Sequence, residues 1–283
     1  MMPSERLSGP RAKIARANQH IRDLYAEIQR FRQTEPCEVR HDSNHETGQR
    51  TTYLTRLDPF PDQIVLITGD ALHNLRSALD HLAAQLVCVA EKRDRLDGES
   101  ARDIAFPIGW NSEAYVAARR RQMSRALPAA QSHIDGIEPY RGGKGEILWR
   151  LHQLDIADKH RLLLSAAAAL EVDIVTTDIT RTKPGFPPVW AFQMHGIATG
   201  GSVPVRLSLS HDTRATPFPL KAGDILRIDP IDSQTYQQMD FRLEVALNEA
   251  AMNQVEPIVK TLKDMAQFID ALLPTFEGLL EAR

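Results

Sequence analysis

Cysteine is scarce. Cys37 and Cys88 are the only two in 283 residues, and neither sits in a CxxC pair or at metal-ligand spacing. Such a chain has no disulfide framework, and both thiols are expected to be reduced and structural. Long apolar runs are missing too. The longest, from Leu162 to Leu170, falls well short of the ~20 residues that span a bilayer. The opening stretch MMPSERLSGPRAKIARANQH lacks the apolar core of a secretory signal. A cytoplasmic protein with no membrane contact is therefore expected. Neither sign of charge dominates: 34 basic residues against 37 acidic ones leave a net charge of −3. No global field draws the chain toward nucleic acid, so any such contact must be a local patch. There is no GxxxxGK[ST], no GxGxxG after a strand and no GxSxG, which removes support for P-loop, dinucleotide and α/β-hydrolase chemistry.

What is present is an ordinary globular composition, 42% hydrophobic and 25% charged, enough to bury a sizeable core. Ile14, Ala17, Ile21, Leu24, Ile28 and Phe31 recur at three and four residues and predict an amphipathic helix over 10–33, ended by Pro36. Residues 37–57 read as a loop or an irregular β-hairpin. Helical periodicity returns from Pro61 to about Lys92, with Gly69 inside it marking a break or a close helix approach. Ser112 reads as the N-cap of a helix to about Arg125, Pro128–Ile137 as another, and a further helix is expected from Glu146 to Leu170. The period then changes. Strands are expected at Leu170–Thr180, Val189–Ile197, Val203–His211, Asp224–Asp229 and Met239–Leu247, and Val255 to Leu279 closes the chain at helical spacing. The expected class is α+β: a helical bundle over 1–170, an antiparallel β unit over 171–248, and a C-terminal helix over 249–283 packing on the bundle.

One stretch is unusually polar for a helix. HNLRSALDH, residues 73–81, holds two histidines, an arginine, an asparagine and an aspartate. At about 100° per residue Asp70, Asn74, Ser77 and His81 fall within roughly 40° of one line, with His73 and Asp80 beside it and Leu72, Leu75, Leu79 and Leu82 opposite. A solvated face is the simple reading. It would ordinarily carry more Lys and Glu than this one does.

A second stretch, LHQLDIADKHR at 151–161, has Asp158 on the apolar stripe of Ile147, Leu151, Leu154 and Leu162, with Asp155 beside it. A carboxylate turned toward a core needs a cation or several donors. Arg76 is the economical partner, through a bidentate fork, and a structural Arg76–Asp158 clamp would account for both motifs. His152, Lys159 and His160 complete the polar set on this helix.

The stretches GDALHNLRSALDHLAAQL (69–86) and LHQLDIADKHRLLL (151–164) resemble the paired signatures of a family of uncharacterised bacterial proteins. More remotely, Arg76-Ser77-Ala78-Leu79-Asp80-His81 is similar to the R-x(4-6)-H pattern of HEPN domains, helical bundles of bacterial toxins, defence proteins and RNA-processing nucleases. That resemblance covers the helices from residue 10 to 170. It implies a HEPN-like bundle, RNA as substrate, Arg76 and His81 as catalytic residues across a homodimer, and a toxin or defence setting with a cognate antitoxin. Ser77 stands where a polar residue, more typically Asn, follows the Arg. The strands at 171–248 depart from the pattern, so a minimal toxin is not expected.

The chemistry stands on its own terms. Metal-free RNA cleavage needs a base near neutrality for the 2′-OH proton and a permanent cation for the charge developing on phosphate, and His81 and Arg76 are those types. Residues five apart diverge by about 140° on one helix, so the pair meets at one phosphate only through converging side chains or a second subunit. Asp70, His73, Asn74, Ser77, Asp80, His152, Asp155, Asp158, Lys159 and His160 would then be supporting polar groups. Two other readings remain open. In one, the same cluster is structural in a non-catalytic ligand- or partner-binding protein. In the other, His73, Asp80, His81, His152, Asp155, Asp158 and His160 hold metal between helices, although no HExxH or ExxH pair occurs and His160 diverges from Asp155 and Asp158 by roughly 140° or more. No metal and no cofactor are expected. Arg119, Arg120, Arg121 and Arg125 form a basic run that is either a phosphate contact or a solvated face.

Overall fold

The computed structural model describes residues 3–160, 166–176, 205–209, 220–231, 239–247 and 257–281. They form a mixed helical and antiparallel β protein whose chain divides into two compact units. The first takes Met1–Pro36, Asp58–Ala167 and Val245–Arg283, and the second takes Cys37–Leu57 and Ala168–Glu244.

The first unit is helical. After a single turn, α1 (Pro3–Arg6), the long helix α2 (Ser8–Gln33) buries Ile14, Ala17, Ile21, Leu24, Ile28 and Phe31, the stripe its periodicity predicts. Glu35 takes a left-handed φ of 52° and Pro36 follows, so the helix cannot continue. Helix α3 (Asp62–Ala90) runs unbroken for 29 residues, roughly 44 Å at about 1.5 Å per residue. It is buried from Ile64 to Val89 along the side that packs on α2, and Gly69 does not interrupt it. Helix α4 (Ser112–Gln122) starts one residue earlier in its capping than expected: Asn111, not Ser112, is the cap, its side chain accepting from Ala114 N at 2.8 Å. Either residue type can cap, so the choice falls to backbone geometry, which is extended at Asn111. Helix α5 (Pro128–Ile137) has the predicted bounds.

Helix α6 (Glu146–His160) is shorter than the expected 146–170, because Ala166 already belongs to strand β3 (Ala166–Thr176). The alanines of 166–169 favour a helix on propensity, but their backbone is paired in a sheet instead. Helix α7 (Ile258–Leu272) buries Ile258, Leu262, Met265 and Ile269 and packs against α2, α3 and α6, followed by a 3-10 turn at Leu273–Phe276 and the short α8 (Glu277–Leu280). The C-terminal helix thus closes the helical core. Among the described residues no helix is long and apolar enough to cross a membrane.

The second unit holds two three-stranded sheets. Residues 37–57, read as a loop or irregular hairpin, form an antiparallel one from β1 (Cys37–Asn44) and β2 (Gln49–Leu57), with a register shift at Glu38/Val39. Its turn is held by Asn44 Oδ1, which accepts from the N–H groups of Glu46 and Thr47. β2 also pairs antiparallel with β5 (Ile225–Pro230), so the hairpin departs from the helical span 1–170 and joins strand residues far along the chain. Thr52 and Leu54 of β2 are buried there. The other sheet has the order β4 (Val205–Leu209), β3, β6 (Met239–Leu247), with β3 and β4 antiparallel from Val172↔Leu209 to Thr176↔Val205. The strand expected at Val189–Ile197 lies outside the described residues. Cys37 and Cys88 are free thiols.

Candidate functional site

The polar stretch of α3 separates into an inner and an outer set. Asp70, His73 and His81 are exposed and Asn74 and Ser77 half-buried, whereas Arg76 is only 6% exposed. One end of the Arg76 guanidinium is occupied. Its Nη2 donates to the carbonyl of Phe106 at 2.9 Å and pairs with Asp80 Oδ1, one helical turn on, also at 2.9 Å. The same Asp80 oxygen accepts from the Phe106 N–H at 2.9 Å. Arg76 and Asp80 therefore act as a two-pronged bracket that satisfies both main-chain groups of Phe106, as a neighbouring strand would. Phe106 itself is fully buried.

Burial shapes the electrostatics of the bracket. It draws the Arg76 guanidinium below its ordinary pKa, with Asp80 and then Asp155 opposing the shift. It also pushes the Asp80 carboxyl up, against the pull of Arg76 and of the Phe106 N–H.

Helix α6 supplies the facing groups, and its phase differs from the predicted one. Leu148, Trp149, Leu151, Leu154 and Asp155 are buried, while Ile147 and Asp158 are only half-buried. Three adjacent apolar residues, Ile147, Leu148 and Trp149, allow two stripe phases, and packing on α3 selects the one that passes through Asp155. The expected Arg76–Asp158 clamp is thus replaced. Asp155, 2% exposed, meets Lys159 Nζ at 2.5 Å within α6 and His73 Nδ1 at 3.6 Å from α3. Asp158 instead abuts the backbone of Gly69, and burial, reinforced by Asp155 and Asp70, pushes its carboxyl up. His152 is driven down to about 4 by burial and by the nearby Arg76, so it is neutral at physiological pH. His160 is the last residue of α6, and its side chain is outside the described ones.

Arg76 and His81 do not face one neighbour. Arg76 is sealed under Phe106, while His81 is exposed beside the start of α2, where a Cβ on Gly9 would come within 3.0 Å of its Nδ1. On that same side Lys13 Nζ reaches Asn74 Oδ1 at 3.4 Å, and Asn74 donates to Asp70 O. Among the described residues no three His, Cys, Asp or Glu side chains group closely enough to hold a metal ion. Three buried polar atoms of the inner cluster, Arg76 Nη1, His152 Nδ1 and Asp155 Oδ1, have no hydrogen-bond partner. Such unpaired buried groups carry a desolvation cost, which the opposite charges of Arg76 and Asp155 partly offset.

Sequence reasoning did not single out Phe106, because its role is carried by main-chain atoms, or Trp110 four residues on, which is 54% exposed. The compact string FPIGW at 106–110, lying between two helical patterns, is the available signal. No family model matches this chain, and no curated protein and no solved structure matches it either.

Proposed function

We propose that this chain is a non-catalytic partner-binding protein, built on a HEPN-like helical bundle in which the Arg76–Asp80–Asp155 cluster is an internal brace. The observation that carries this reading is the burial of Arg76: the residue is 6% exposed and its Nη2 is shared between Asp80 and the Phe106 carbonyl, so a phosphate in solvent does not reach the guanidinium. A cation for a phosphoryl transition state has to be placed where charge develops, and this one is placed where a loop is held. The test is an assay of the purified protein on total RNA with a chelator present, run beside thermal melts of Arg76→Ala and His81→Ala. RNA left intact, with the Arg76 variant melting far below wild type and the His81 variant close to it, is the expected result.

A second reading, a metal-independent endoribonuclease of toxin or defence type acting as a homodimer and held by a cognate antitoxin, draws support from His81. Its imidazole is exposed on α3, with Ser77 half-buried one turn before it, as a general base requires. The cation would then have to come from elsewhere, including a second copy. Chelator-resistant cleavage lost in His81→Ala without a change in melting would establish that reading and overturn the first.

A further inference from the structure

The bracket of Arg76 and Asp80 fixes the first residue of a short rigid segment whose last residue is displayed to solvent. Phe106 is held by the bracket; Pro107 and Ile108 are buried; Gly109 donates to Pro139 O at 3.1 Å, and a Cβ there would lie 2.3 Å from Tyr115 N. Asn111 caps α4 immediately afterwards. Trp110 is therefore pinned from both sides along the chain, yet more than half of it stays exposed. Its ring meets the buried Trp149 edge to face, with centroids 5.2 Å apart at 78°. The Arg141 guanidinium lies 5.2 Å from the Trp110 centroid and 5.5 Å from that of Trp149. Arg141 is exposed, and among the described residues it has no carboxylate partner.

A half-exposed indole with a guanidinium beside it that has no carboxylate partner among the described residues offers an aromatic surface and a positive charge together. An acidic peptide would satisfy Arg141 but leave the indole unused, and an apolar peptide would do the reverse. A nucleotide engages both in one unit, its base stacking on the ring and its phosphate pairing with the guanidinium. Farther along α4, about 12–14 Å from its start, Arg120 and Arg121 are exposed and outside any ion pair among the described residues, whereas Arg119 is taken by Asp135 and Arg125 by Glu91. That distance is one a few nucleotides cover. We infer that Trp110 and Arg141 form a stacking site for single-stranded nucleic acid, held in place by the Arg76–Asp80 bracket. This inference rests on the partner-binding reading and names the partner's chemistry.

The experiment measures fluorescence anisotropy of labelled oligouridine and oligothymidine with the full chain, each as a single strand and as a duplex with its complement. Single strands are expected to bind more tightly than duplexes. Trp110→Ala and Arg141→Gln should each weaken that binding roughly 5- to 100-fold, the range of one lost base stack, while Trp110→Phe keeps most of it. Arg120→Gln with Arg121→Gln should flatten the salt dependence. Melting of Trp110→Ala should stay near wild type, since the ring is largely solvated. Preference for duplex, or Trp110→Ala binding as wild type does with an unchanged melt, overturns the site, and so does displacement of both strands by polyglutamate alone. Cleavage of the bound oligonucleotide in chelator would instead overturn the non-catalytic reading and leave Trp110-dependent binding standing.

Discussion

Gly69 of α3 and Asp158 of α6 share one volume: a Cβ on the glycine would lie 2.4 Å from Asp158 Oδ1 and 2.7 Å from its Cγ. Both helices depend on that absence. Alanine at 69 would gain about 1 kcal/mol of helix propensity but would force the carboxylate aside or the helices apart, at about 1–3 kcal/mol. Gly69→Ala is therefore expected to destabilise in the native background and to become neutral or stabilising in an Asp158→Ala background. Urea denaturation of the four combinations reads the sign change; equal effects in both backgrounds would show that the contact does not limit packing.

Arg76 and Asp80 are predicted to differ in weight. Arg76→Ala strips the Phe106 carbonyl of its donor and leaves Asp80 and Asp155 without their buried cation, a loss of about 3–5 kcal/mol. Asp80→Asn keeps an acceptor for the Phe106 N–H on a half-exposed side chain and should cost only about 1 kcal/mol. Arg76→Lys retains charge without the fork and should fall between them. Chemical denaturation ranks the three, and an Arg76→Ala protein as stable as wild type would mean that the loop is held by packing alone.

The pH dependence of stability should carry the signature of His152. Its folded-state pKa of about 4 lies below the ordinary 6.5, so the unfolded chain binds the proton more readily between those values. The stability it contributes is complete above about pH 6.5 and is lost as pH falls toward 4. Allowing for its partial exposure, the loss is on the order of 2 kcal/mol. Asp158, with its carboxyl pushed up, has the opposite sign, and its destabilising charge is relieved as the pH drops. Subtracting the melting profile of His152→Gln from that of wild type isolates the first effect. A difference that does not change between pH 7 and 4 would place the imidazole in water.

Asn111→Ala should lower stability by about 1 kcal/mol, while Asn111→Asp or Asn111→Ser should hold it, because one side-chain acceptor serves the Ala114 N–H at the start of α4. Circular dichroism melts suffice to rank them.

Periodicity made the amphipathic helices legible: the stripe from Ile14 to Phe31 and the run from Ile258 to Ile269 are buried as their spacing requires. The alternation of residues 239–247 is likewise a strand. Where two answers were locally equal, the tertiary structure decided. Asn111 and Ser112 are both capable caps, Asp155 and Asp158 both border the apolar face of α6, and Ala166–Ala169 suit a helix until a sheet claims them. The bracket itself was half visible. An Arg and an Asp four apart on a helix are plain in the sequence, but their shared target is the backbone of Phe106, and peptide groups carry no residue signature. The pairing of β2 with β5 was hidden for a different reason, since nothing in either strand names a partner so far along the chain.

The chain passes between its two units after residues 36, 57, 167 and 244, and this threading governs the order in which the protein can be made. A hairpin such as β1–β2 closes locally, in microseconds, but its second edge waits for β5 to emerge from the ribosome, and α2 and α3 wait still longer for α7 to cover them. Neither unit can be finished before the other is begun. During synthesis, therefore, an unpaired strand edge and an open apolar helix face coexist until β5 appears, and the helix face stays open until α7 follows, exposing the kind of surface on which nascent chains aggregate.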